Sequence, residues 1–144
     1  EAIDTLIKEM EDNRRDLVVI LAGYEEEMQN LLDMNPGFDS RIPNRIVFPN
    51  YSPDEILEII LTMLKSYSLD EDAKQTLTRS IHYLAAQNEG IIVGNGRWAR
   101  NLFDQIRMEK NSRIAQTESD DLITILESDI IGAFNRLSKN RIAR

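Results

Sequence analysis

Two stretches decide the fold: Asp16-Leu-Val-Val-Ile-Leu-Ala-Gly-Tyr24, and Asn35-Pro-Gly-Phe-Asp-Ser-Arg-Ile-Pro-Asn-Arg-Ile-Val-Phe-Pro-Asn50. Leu17 to Ala22 is an unbroken apolar run rich in β-branched residues, the pattern of a strand buried on both faces in a parallel sheet. Gly23 ends it, and Tyr24 follows where open α/β sheets gather their chemistry, at the carboxyl end of a strand. Arg45 to Phe48 reads as a second, shorter strand. Between the two lie a short acidic helix, Glu25 to Asp33, with three glutamates in its first turn, and an Asn-Pro-Gly turn at 35 to 37. Arg41 and Arg45 then fall beside the sheet edge.

Upstream, Ala2, Ile3, Leu6, Ile7 and Met10 recur at helical spacing with charges between them, so a first amphipathic helix precedes the first strand. Helix then strand is half of a βαβ unit whose opening strand is absent. Downstream, Tyr51-Ser-Pro-Asp-Glu-Ile56 is a helix start of unusual clarity. Ser52 is the N-cap, Pro53 stands at the first helical position, Glu55 closes a capping box, and Tyr51 with Ile56 forms a hydrophobic staple. That helix should bury Ile56, Ile59, Ile60, Met63 and Leu64 and end near Tyr67. Only helices are expected beyond it. Asp70 caps one that ends around Asn88-Glu-Gly90, with Ala73, Leu77, Ile81, Leu84 and Ala85 inward. After the apolar connector Ile91-Ile-Val93, Asn95-Gly96 opens a long helix to about Gln116. A last helix, with Ile130, Ala133, Phe134 and Leu137 inward, follows an extended stretch at Leu122 to Leu126. The expected fold class is α/β plus all-α: residues 1–50 a partial α/β layer of two parallel strands with helices, residues 51–144 a four-helix bundle.

The 144 residues, 42% of them apolar, suffice for one domain or two small ones. Seventeen basic against twenty-five acidic residues give a net charge of −8, and no basic block stands out, so nucleic acid is not the expected partner. Cysteine is absent and His82 is the single histidine, which leaves no thiolate or histidine-rich metal site. The apolar runs are too short to span a bilayer and no signal peptide opens the chain, so a cytoplasmic setting is expected. The first residue is Glu and helical periodicity begins at once, as in a piece of a longer protein.

Six ordered blocks carry a resemblance across nearly the whole chain. They are the helix from Glu1 to Arg14, Leu17-Val-Val-Ile-Leu-Ala-Gly-Tyr24, Asn35-Pro-Gly-Phe38, Ser40-Arg-Ile42, Phe48-Pro-Asn-Tyr-Ser52 and Gly94-Asn-Gly-Arg-Trp-Ala-Arg-Asn101. Together they resemble the C-terminal half of an AAA+ ATPase, in the branch of stage V sporulation protein K, the red-type Rubisco activase and the type VII secretion ATPases. The resemblance implies a ring, a hexamer, that binds ATP and Mg2+ between subunits and remodels another protein. It implies that Arg41 is the arginine finger acting on the neighbouring subunit, with Arg45 as its understudy. Arg97 matches sensor 2, with Gly96 beside it, and Tyr24 holds the sensor 1 position, where many relatives have Asn or Thr. The residue chemistry agrees, because phosphoryl transfer needs mainly positioning and positive charge, and a guanidinium offers a planar fork of donors to phosphate oxygens. Gly94 and Gly96 are expected to let the backbone turn so that Arg97 sits in the first turn of its helix.

No Gly-x-x-x-x-Gly-Lys-Ser/Thr occurs and no strand ending in paired acids precedes the first helix. The chain by itself is therefore expected neither to hold ATP or metal nor to hydrolyse ATP. Plainer readings stand beside these roles. Arg41 can pair with Asp39 or the acidic helix, Arg45 can serve the strand, and Arg100 can pair with Asp104 on the side it shares with Arg97. Trp98 reads as an anchor between subdomains, and His82 is given no function. The function from another class is a non-catalytic helical module for interaction or oligomerisation; a clamp-loader-like role on nucleic acid is disfavoured by the acidic charge. The substrate protein and pathway are not written in these residues.

Overall fold

The computed structural model describes residues 2–90 and 92–142. Of the stretches quoted above, Glu1 and Ile91 lie outside the described residues. The chain divides into two compact units, Glu1–Pro49 and Asn50–Arg144.

In the first unit, α1 (Ala2–Asp12) half-buries Ile3, Leu6, Ile7 and Met10, the positions that the period selects. α2 spans Glu25–Asp33 and buries Leu32. The Asn-Pro-Gly turn is tighter than expected and forms a one-turn helix, α3 (Pro36–Asp39), with Pro36 in its first turn. A proline there gives up an amide that would have no helical acceptor and arrives with φ already set. Asn35 Nδ2 donates to the Leu31 carbonyl at 2.8 Å, closing the end of α2, and Phe38 is buried beneath.

Leu17–Ala22 and Arg45–Phe48, expected as parallel strands, lie outside any helix or strand. Val18, Ile20 and Phe48 are 83%, 86% and 88% exposed. A strand exists only through the ladder it shares with a neighbour, and among the described residues these segments have no such ladder. Their composition marks what a buried pleat would accept; the pairing is not local information.

The described residues hold seven helices and two parallel strands, and both strands lie in the second unit. There α4 (Pro53–Met63) begins on the expected box: Ser52 Oγ accepts the Glu55 amide at 3.2 Å, and Glu55 Oε2 accepts the Ser52 amide at 2.8 Å. The backbone and side-chain bonds at Ser52 hold the Glu55 carboxyl below the usual glutamate range. The helix stops at Met63, a turn earlier than expected, because the chain must reach β1 (Ser68–Leu69). Asp70 Oδ1 takes the Ala73 amide and starts α5 (Glu71–Ala86). α6 (Asn95–Thr117) and β2 (Thr124–Ile125) follow, and α7 (Glu127–Ile142) closes the unit. β1 and β2 pair in parallel, Ser68 against Thr124 and Leu69 against Ile125.

Each of α4 and α7 packs on both α5 and α6, so the four helices enclose one core. Ile56, Ile60, Leu77, Ile81, Leu102, Ile106, Ile125 and Ile130 are fully buried in it. Two cations on α6 fix the connection to α7. Lys110 Nζ donates to the Leu122 carbonyl at 2.6 Å and lies 4.7 Å from the Tyr67 ring centre. Arg113 grips the buried Asp129 with Nε and Nη2, both at 2.9 Å, and gives Nη2 also to the Thr124 carbonyl. Asp129 in turn accepts the Leu126 amide at 3.0 Å. Among the described residues no helix is long and apolar enough to cross a membrane.

Asp129→Ala strands the Arg113 charge and opens the start of α7, and should cost about 3 kcal/mol in urea unfolding. The double change Arg113→Met with Asp129→Leu should recover much of that loss. Because the folded pKa of Glu55 lies below its unfolded one, the capping box adds stability above the unfolded pKa and loses it as pH falls through the folded one. Ser52→Ala should return the Glu55 midpoint in an NMR titration toward the ordinary glutamate value.

Candidate functional site

Arg41 stands just past Ser40, the C-cap of α3. Its Nη1 donates to the Gly37 carbonyl at 2.6 Å, and Nε and Nη2 lie 3.1 and 2.9 Å from Glu11 Oε2 on α1. The partner is thus neither Asp39 nor the acidic helix. Asp39 is taken by Arg45, whose other contact is Gln29 Oε1 at 3.3 Å. Both arginines are neutralised within their own unit. The Arg41 side chain is still 33% exposed and that of Glu11 59%. Ion pairs this open are worth roughly 0.2–1 kcal/mol, so the pair with Glu11 holds Arg41 only weakly.

Tyr24 is the N-cap of α2, extended at φ −71° and ψ 149°, with its ring exposed. Gly23 before it admits Met28: a Cβ there would come within 2.9 Å of the Met28 sulfur.

The segment Gly94–Arg97 starts α6. Gly94 is its N-cap at φ +97°, and its carbonyl accepts both the Arg97 amide at 3.0 Å and the Trp98 amide at 3.2 Å. Only one of the two glycines does the turning that was expected of both. The second left-handed residue is Asn95, at φ +46°, while Gly96 has φ outside the left-handed region and open space where a Cβ would stand. Asn95 Oδ1 accepts the Tyr51 amide at 2.8 Å, and Nδ2 donates to Asn50 Oδ1 at 2.7 Å.

Among the described residues the Arg97 side chain makes no hydrogen bond or ion pair, and the residue is exposed. Arg100 does not take Asp104, which lies 3.8 Å from Arg107 instead. Trp98 is buried within the second unit, its ring 6.2 Å from that of Phe134. His82 pairs with Asp54 at 3.0 Å, linking α5 to the first turn of α4.

An unpaired guanidinium on a helix's first turn, beside the open Gly96, suits an anion carrying several oxygens. A divalent cation is not so served: among the described residues no three His, Asp or Glu side chains gather to hold one. Sequence reasoning missed Asn95, Lys110 and Asp129. For Asn95 a signal existed, since Asn tolerates left-handed φ better than other non-glycine residues and stands here between two glycines.

Residues 52–140 match the family model of the AAA lid domain. The chain belongs to the AAA lid domain family. It is 39% identical over 138 residues to a CfxQ homolog of Galdieria sulphuraria, covering 91% of this chain and 44% of the relative. It is 36% identical to stage V sporulation protein K of Bacillus subtilis, covering 90% and 42%. It is also 36% identical to the chloroplastic ribulose bisphosphate carboxylase/oxygenase activase of Cyanidioschyzon merolae, covering 91% and 46%. The chain spans less than half the length of these curated relatives. They are the sporulation protein K and Rubisco activase branch of AAA+ ATPases, the one that the six blocks resemble.

Glu11→Gln should change the stability of the chain by less than about 1 kcal/mol in thermal unfolding. A larger loss would make Glu11–Arg41 a structural lock.

Proposed function

We propose that this lid-bearing chain supplies two arginines to an AAA+ ATPase that works as a ring, a hexamer, and couples ATP hydrolysis to the remodelling of another protein. The observation that carries this is Arg97: a bare guanidinium at the start of the long lid helix, next to the open Gly96, in a chain that belongs to the lid family. Arg97 is the sensor 2 residue, acting on the phosphates bound by its own subunit. Arg41 is the finger, offered to the nucleotide of an adjacent copy, and Arg45 can take its place. Tyr24 holds the sensor 1 position, where a phenol hydroxyl can donate a hydrogen bond to an attacking water or a phosphate oxygen.

The weak hold on Arg41 fits this work. A weak, solvent-screened pair with Glu11 is exchanged for charge-assisted, bidentate bonds to a phosphoryl group. The exchange needs a neighbour, so assembly and chemistry are coupled through one side chain. The phosphate cradle and the magnesium ligands come from residues other than these 144, and bound Mg2+ would supply charge neutralisation between the β- and γ-phosphates. One relative bears the name of an activase of another enzyme, which makes a protein the class of substrate assigned here.

In the full-length protein, Arg41→Ala should lower ATP turnover by roughly 10³-fold or more while leaving ATP binding nearly unchanged. Lost binding in an intact ring would place Arg41 in its own subunit's pocket. The 144-residue chain by itself should show weak or no ATP binding in calorimetry; micromolar binding would overturn the assignment of the cradle to other residues.

A further inference from the structure

Asn95 holds a backbone conformation that a side chain resists and that glycine adopts freely, yet glycines stand on both sides of it. What Asn contributes here is therefore its amide. The Tyr51 amide can only donate, so Asn95 Oδ1 must face it, which leaves Nδ2 for Asn50 Oδ1. One side chain thus ties α6 to residues 44 and 45 positions upstream. Those are the first two residues of the second unit, just ahead of the Ser52 capping box. On the other side, Gly94 accepts the amides of Arg97 and Trp98, and Trp98 is buried. The backbone on which Arg97 stands is held from both directions, and only its side chain is loose.

We infer that Asn95 is a positioning residue for Arg97. It fixes the 94–97 turn against the point where the chain enters the lid, so a displacement of that point reaches Arg97 as a rigid movement and is not absorbed in the turn. The inference rests on the sensor 2 reading of Arg97.

The test uses Asn95→Gly, which keeps the left-handed backbone and removes both bonds, and Asn50→Ala, which removes one bond and leaves residue 95 untouched. In the 144-residue chain, Asn95→Gly should speed hydrogen exchange of the Tyr51 amide by roughly tenfold, with the melting temperature nearly unchanged. In the full-length ATPase, Asn95→Gly should lower kcat by roughly ten- to a hundredfold with little change in the KM for ATP, and Asn50→Ala should do so to a smaller degree. In an Arg97→Ala background neither change should lower kcat further. Unaltered exchange at Tyr51, or a loss that simply multiplies with that of Arg97→Ala, overturns the positioning role. An Arg97→Ala enzyme with normal turnover overturns the sensor 2 reading instead, and this inference with it. If Arg97→Ala is slow and Asn95→Gly is not, the positioning role alone falls.

Discussion

A carboxylate removed from water must be matched by donors, and Asp129 is 2% exposed at the place where α6, β2 and α7 meet. Its oxygens are taken by the Arg113 fork and the Leu126 amide. Because Arg113 also holds the Thr124 carbonyl, the same cation keeps β2 where β1 can pair with it. The helical unit is thereby closed around a polar joint and not only around its apolar core. Geometry at such a joint is specified more sharply than by apolar packing, since bidentate hydrogen bonds have direction and hydrophobic burial does not.

That joint lies toward the C-terminal end of α6, whereas Gly94, Asn95 and Arg97 lie at its start. The long helix is thus fixed at one end by a buried ion pair and at the other by an amide clamp. In the first unit the polar contacts are of another kind. Arg41–Glu11 and Arg45–Asp39 are half in solvent and can exchange partners at small cost.

The helices were legible because their signals are local. A 3.6-residue period, the Ser52-Pro-x-Glu55 box and the Asp70 cap each lie within a few residues of what they decide. The strands were not legible in that way. Leu17–Ala22 has the composition of a buried strand and has no ladder among the described residues, whereas Ser68–Leu69, with little strand character, pairs across 56 positions with Thr124–Ile125 in the stretch read as extended. Ladder formation is decided by which backbone arrives alongside. The candidate arginines, Arg41 and Arg97, were marked by resemblance, and the structure adds their surroundings: Glu11 thirty positions before Arg41, and Asn95 reaching back to Asn50. Contacts of that separation leave no trace in a local pattern, so Asn95 was legible only as the start of a long helix.

The uncovered apolar residues Val18, Ile20, Ile46, Val47 and Phe48 bear on how the chain behaves in concentrated solution. Backbone without a ladder beneath β-branched side chains can add to a like segment on another molecule, the route by which open edges precipitate. A net charge of −8 opposes such encounters through mutual repulsion, a protection that added salt or acidification weakens. Dilute, low-salt, neutral buffer is therefore the medium that this surface favours.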